Sequence, residues 1–318
     1  MHHIADSRSK KMAAIEVRDL VKTFGETKAV RGVSFSVEEG EFFGLLGPNG
    51  AGKTTIIRMM TGVLRPDSGD VTILGMDIRK RSLEAKEKMG VIPEVGNVYP
   101  DLSGRENLEL MARYYGLPRK LREDRAEQTL KELGLAERGD DQVKKYSKGM
   151  RQRISIGCAM IHEPPVLFLD EPTEGLDVQS RRMILEKVKQ LSKKGSTVVL
   201  TTHNIEEASR MCQRVCIINK GQVLVIDSPE RLRSTFEKVQ SVEVCFDRKV
   251  DCSIFTSETC ISKAEEAGDK LRIYTSDPNQ AIERIMAIKE EKGLRIISMT
   301  TLGPTLEDVF VKLTEGKT

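Results

Sequence analysis

Nothing in the 318 residues approaches the roughly 20 consecutive apolar residues that a membrane-spanning helix needs. The leader "MHHIADSRSK" also lacks the apolar core of a signal peptide. These absences predict a chain that works in the cytoplasm. Tryptophan is absent, aromatics make up 4%, and the six cysteines (Cys158, Cys212, Cys216, Cys245, Cys252, Cys260) are scattered with no CxxC pair. Reduced thiols in cores or strands follow, not a zinc site or disulfide framework. His2 and His3 read as part of a leader, not as metal ligands. The formal net charge is only +3, so composition gives no argument for nucleic-acid binding. There are no sustained heptads, long repeats or low-complexity linkers.

What is present is a globular balance, 39% hydrophobic and 31% charged, long enough for two domains. Four apolar, partly β-branched runs bounded by turns read as strands: "EFFGLLG", "PVLFLD", "STVVLTTH" and "RVCIINKGQVLVI". Helical periodicity lies between them, so an α/β core with a mainly parallel sheet covered on both faces is expected. In "DLSGRENLELMARYYGLP" Ser103 and Glu106 form a capping box. Leu108, Met111, Ala112 and Tyr115 share one face, and Gly116 with Pro118 ends the helix. Helical patterning continues to about Leu133, predicting a separate helical lobe.

The texture changes between Asp227 and Gln240. Strands are expected near Val242 to Phe246 and Leu271 to Tyr274, a helix from Pro278, a strand in "LRIISMT", and a last helix capped by Thr305. This reads as a small C-terminal α+β domain with no chemical constellation.

Chemistry concentrates in the first part. "GPNGAGKT", comprising Gly47, Pro48, Asn49, Gly50, Ala51, Gly52, Lys53 and Thr54, fits the phosphate-loop pattern and lies between a strand and a helix. The glycines let backbone N–H groups curl around a β-phosphate, Lys53 reaches the β- and γ-phosphates, and Thr54 can ligate Mg2+. Thr55 adds a hydroxyl on the α-phosphate side. "VLFLDEP" is a buried strand ending in two acids: Asp170 is placed to hold the Mg2+ water shell and Glu171 to polarise an attacking water. His203 ends another strand, where α/β sheets place chemistry.

"YSKGMRQR" is a peculiar helix start. Ser147 is the expected cap, yet Gly149 sits in the first turn, and Lys148, Arg151 and Arg153 crowd the positive end of the helix dipole. Two readings are open at this point: an anion site, or a basic surface helix with an incidental glycine.

Taken together and in order, the phosphate loop, "YSKGMRQ", "VLFLDEP", "EGLD" and "TTH" resemble the ATP-binding subunit of an ABC transporter over roughly Ile15 to Asp227. The branch most resembled is the ABC-2 type exporters of drugs, lipids or polysaccharides, which often end in a phrase like "TLEDVFVKLT". The resemblance implies an α/β P-loop NTPase cassette with a mixed, mainly parallel sheet core over 13–238, its helical subdomain at about 97–163, and a small α+β domain over 239–318. It implies that Phe24 stacks on adenine. Ser147, Lys148, Gly149 and Met150 would form the signature meeting ATP held by a second protomer, with Ser147 and Gly149 on the γ-phosphate and no specific role assigned to Lys148. Asp177 would couple the two sites, and His203 would orient the attacking water with Glu171.

The signature departs from the usual Leu-Ser-Gly-Gly-Gln at Tyr146, Lys148 and Met150. Glu94 stands where the family usually has a glutamine that touches the metal. A carboxylate there keeps metal-binding capacity and adds negative charge.

The implied function is ATP hydrolysis with ATP and Mg2+, in a homodimer or a dimer with a paralogous ATPase. It would drive a separate transmembrane permease from the cytoplasmic face, docked through Glu94 to Asp101 and the helix from Ser103. No nucleic-acid partner is expected. The alternatives are a soluble ABC-type ATPase acting on nucleic acid or ribosomes, and a weakly hydrolysing nucleotide switch.

Overall fold

A computed structural model describes residues 13–94, 96–235, 240–256, 260–303 and 305–315. His2 and His3 lie outside them. The chain divides into two compact units, Met1–Ile226 and Asp227–Thr318.

In the first unit, chain order runs β1 (Ala13–Phe24), β2 (Thr27–Glu38), β3 (Phe42–Leu46), α1 (Lys53–Met60), β4 (Ser68–Ile73), β5 (Met76–Asp77), α2 (Ser82–Glu87) and β6 (Met89–Ile92). It continues through α3 (Gly104–Tyr114), α4 (Arg119–Glu132), α5 (Lys148–Met160), β7 (Val166–Asp170), α6 (Val178–Lys193), β8 (Thr197–Thr202), α7 (Ile205–Met211), β9 (Arg214–Asn219) and β10 (Gln222–Asp227). One sheet has the order β10-β9-β3-β8-β7-β6, with β3 parallel to β8 and β9, and β7 parallel to β6 and β8. Strands β3, β7 and β8 are buried at every position, which is why they read as continuous apolar runs.

A second sheet, β2-β1-β4-β5, is antiparallel; it gives the cassette the mixed, mainly parallel character expected, although none of its strands was read from the sequence. The alternation of β1 with β2 is interrupted by register shifts, including one between Val17 and Leu20, where Asp19 takes a positive φ of 48°. Such bulges break the two-residue period that marks a half-buried strand. Ile56, Ile57, Met59 and Met60 of α1 share one apolar cluster with Phe35 of this sheet and Phe43 and Phe168 of the other. Each such side chain contributes roughly 1.5–3 kcal/mol by burial, and together they fix α1 and the loop before it.

The helical lobe has its own core, including Leu108, Ala112, Leu130, Ile154 and Cys158. Ser103 and Glu106 make the expected capping box on α3: Glu106 N–H donates to Ser103 Oγ at 3.1 Å, and Ser103 N–H to Glu106 Oε2 at 2.7 Å. Ser147 caps α5, accepting from Met150 N–H at 3.2 Å. The expected permease-docking stretch from Glu94 to Asp101 is tied back through Asn107, whose amide donates to Tyr99 O at 3.0 Å. Val95 lies outside the described residues.

The second unit begins with α8 (Pro229–Thr235) and holds β11 (Gln240–Phe246), α9 (Ser253–Thr256), β12 (Ile261–Ala267), β13 (Lys270–Thr275), α10 (Pro278–Lys292), β14 (Ile296–Leu302) and α11 (Leu306–Glu315). Its antiparallel sheet has the order β12-β13-β11-β14. Ala281, Ile285 and Ile288 of α10 join Val242, Val244 and Ile273 in its core. The expected division after residue 238 falls in a stretch outside the described residues. The structural division comes earlier because α8 packs on α11.

Candidate active site

The phosphate loop leaves β3 and enters α1. Gly52 occupies the position before the helix with φ 102°, and a Cβ there would come within 2.7 Å of Ala29 O. Gly50 has φ 78°, a conformation that side chains disfavour. No side chain caps α1, so its first-turn N–H groups keep hydrogen-bonding capacity for phosphate. The β9–β10 turn braces the loop, with Gly221 N–H donating to Ala51 O at 3.0 Å.

Lys53 is buried. Its ammonium donates to Gly47 O at 2.8 Å and Pro48 O at 3.2 Å, and lies 3.2 Å from Glu171 Oε1. That last contact is an ion pair without hydrogen-bond alignment. Three strand ends converge on the same place. Asp170 Oδ1, at the end of β7, accepts from Thr54 Oγ1 at 3.1 Å and from Thr201 Oγ1 of β8 at 2.6 Å. Glu171 N–H donates to Thr201 Oγ1 at 3.0 Å. Glu171 itself has φ 47°, a strained conformation for a glutamate held by its surroundings. Its Oε2 lies 3.1 Å from His203 Nδ1; the Glu171 side chain is 9% exposed and His203 47%. A buried carboxylate is thus aligned with an accessible imidazole just past β8.

A cleft of about 480 Å³ opens over this cluster. It is lined by Phe24, Ala29, residues 49–55, Glu94, Glu171 and Glu174, a size and mixture suited to a small polar ligand. Phe24 ends β1 half-exposed at 49%, with the Lys22 ammonium over its ring at 5.7 Å from the centroid. Ser147, Lys148, Gly149 and Met150 do not line this cleft. They begin α5, packed on the start of α6, where Asp177 accepts from Ser180 N–H and Ser180 Oγ, both at 2.8 Å. Those bonds, the backbone one first, hold the Asp177 carboxyl below its usual range.

The ABC transporter family pattern matches residues 30–174. A Nod factor export ATP-binding protein of a Rhizobium species is 37% identical over 301 residues, covering 95% of this chain and 97% of its own. A linearmycin resistance ATP-binding protein of Bacillus subtilis is 35% identical over 311 residues, covering 96% and 99%. The chain belongs to the ABC transporter family. Among solved structures, an ATP-binding subunit of an ABC transporter superposes with a TM-score of 0.65 and 33% identity, across 70% of this chain and 93% of that one. A dimeric post-hydrolysis ATP-binding cassette bound to ADP and Pi gives 0.62 and 27%, across 67% and 98%.

This ABC protein is of the ATP-binding, ATP-hydrolysing kind, and the cleft over the phosphate loop is the candidate site for its nucleotide. Two contributors escaped the sequence reading. Thr201 joins Asp170 to Glu171; a threonine at the end of a buried strand was its only signal. Glu174 lines the cleft; it stood in the "EGLD" motif with no role assigned. The donors also fit Mg2+: Thr54 and Asp170 present adjacent hard oxygens, and Glu94 lines the same cleft.

Proposed function

We propose that this ATPase drives export through a separate membrane-spanning permease, as a dimer that encloses Mg2+-loaded ATP between the phosphate loop of one protomer and the signature of the other. The observation that carries the reading is the incomplete cleft: Phe24, the phosphate loop, Asp170 and Glu171 converge, while Ser147, Lys148, Gly149 and Met150 stand elsewhere on the same chain. The Nod factor export role of one relative, the linearmycin resistance role of the other and the dimeric state of the superposed cassette support it. So does the fact that no described helix is long and apolar enough to cross a membrane. The subunit would then sit on the cytoplasmic face, with residues 13–238 as the motor and 239–318 as the appended domain. A nucleic-acid or ribosome role is not favoured by these relatives.

In this reading the phosphate loop binds the β- and γ-phosphates, and Lys53 exchanges its carbonyl partners for phosphate oxygens. Thr54, Asp170 and Glu94 would hold Mg2+, which when bound offsets phosphate charge. Glu171 takes a proton from the attacking water, and His203 fixes the carboxylate that receives it. Ser147 and Gly149 close the site in trans, and Asp177 joins the two halves. The test is sedimentation of a Glu171→Gln variant, which should form a dimer only with ATP. A monomer at saturating ATP would sink the sandwich.

A further inference from the structure

We infer that Glu94 and Glu174 make this cleft selective for metal-loaded nucleotide by repelling nucleotide that lacks a divalent cation; the inference rests on the nucleotide-site reading above. Charged side chains lining the cleft include Lys53, Glu94, Glu171 and Glu174. Lys53 and Glu171 are buried and already paired at 3.2 Å. Their charges offset one another, and the ammonium is further held by Gly47 O and Pro48 O. The surplus is therefore the two glutamates, both exposed at the rim and neither in an ion pair among the described contacts. Asp170 adds a third carboxylate beneath the cleft, next to Thr54.

A phosphate loop needs an anion, yet the rim facing that anion carries the same sign. Like charges sharing a cleft repel, and at an exposed rim solvent and salt weaken the repulsion without removing it. A divalent cation on the phosphates reverses the interaction, since carboxylate oxygens are the ligands such a cation prefers. Glu94 and Glu174 thus act as specificity residues: they disfavour the bare nucleotide and tolerate the loaded one.

The test is calorimetric titration of the full chain with ADP, which avoids turnover, in excess chelator and in saturating Mg2+. Wild type should bind free ADP much more weakly than Mg2+-loaded ADP. Glu94→Gln and Glu174→Gln should each tighten free ADP roughly three- to tenfold, and the double variant more. Higher ionic strength should narrow the wild-type difference more than that of the double variant. A circular-dichroism melt that matches wild type shows that the variants are folded. Free-ADP affinity within about twofold of wild type in the double variant would overturn the inference, as would a ratio that falls only because loaded ADP binds more weakly. Failure of wild type to bind loaded ADP would instead overturn the nucleotide-site reading itself.

Discussion

Gly149 lies so close to Ser180 that a Cβ on the glycine would sit 2.5 Å from the serine Oγ and 3.2 Å from its Cβ. The start of α5 is packed onto the start of α6, where Ser180 is already committed to Asp177. The glycine that seemed misplaced in a helical first turn therefore has a packing reason within one chain. Gly149→Ala should cost about 1–3 kcal/mol in urea unfolding, the usual penalty of overpacking. Adding Ser180→Ala should recover part of that stability. Phosphate release should stay low in the double variant, because close backbone approach to a γ-phosphate is a second use of the same position. Recovery of full activity would reduce Gly149 to packing alone.

Thr201 is fully buried, donating to Asp170 and accepting from Glu171 N–H. It positions both acids without itself facing the cleft. Thr201→Val should destabilise by about 1–3 kcal/mol, since it strips partners from buried polar groups. It should also lower kcat about ten- to hundredfold through misplacement of the acids, with a much smaller change in KM for ATP. Thr201→Ser should restore most of the turnover. An equal fall in kcat for the serine variant would assign the effect to lost methyl packing.

Legibility in the sequence followed locality. The phosphate loop, the α3 capping box, Ser147 as a cap and the strand end at Asp170 depend on residues adjacent in the chain, and "VLFLD" could hardly be anything but a buried strand; β8 stops at Thr202, one residue before the His203 end that the sequence suggested. The antiparallel sheet was missed because bulges near Asp19 erase the alternation of β1. "ISKAEEA" is strand β12 despite its charges, since several of its side chains face solvent and β13 supplies the pairing. Thr201, Glu174 and the Gly149–Ser180 contact depend on the meeting of distant segments, about which local pattern says nothing.

Lys148 can be tested separately. It is exposed, and its ammonium lies over Gly175, in the turn before α6. As a surface cation it should contribute within about 0.5 kcal/mol to folding. As a trans contact to nucleotide it should matter only in the dimer. In a Glu171→Gln background, Lys148→Ala should weaken ATP-dependent dimerisation in sedimentation, and Lys148→Arg should partly restore it. An unchanged dimer constant would remove Lys148 from the signature's working set.

His162 offers a pH dependence of known sign. Its ring stacks on Tyr115, and its Nε2 lies 3.1 Å from Met89 O, which also accepts from Tyr115 Oη at 3.2 Å. A carbonyl can only accept, so Nε2 carries the proton. The buried Nδ1 has no hydrogen-bond partner among the described residues. Burial lowers the imidazole from 6.5 to about 4. The unfolded chain therefore takes up its proton first as pH falls. The stability held by the neutral ring is complete above the unfolded value, is lost between 6.5 and about 4, and changes no further below that. Allowing for partial exposure, the loss should reach about 2 kcal/mol. Comparing urea midpoints at about pH 7 and about pH 5 checks it: wild type should weaken, and His162→Phe, which keeps a stacking ring but cannot protonate, should weaken less. Equal losses in the two proteins would place the acid sensitivity elsewhere in the fold.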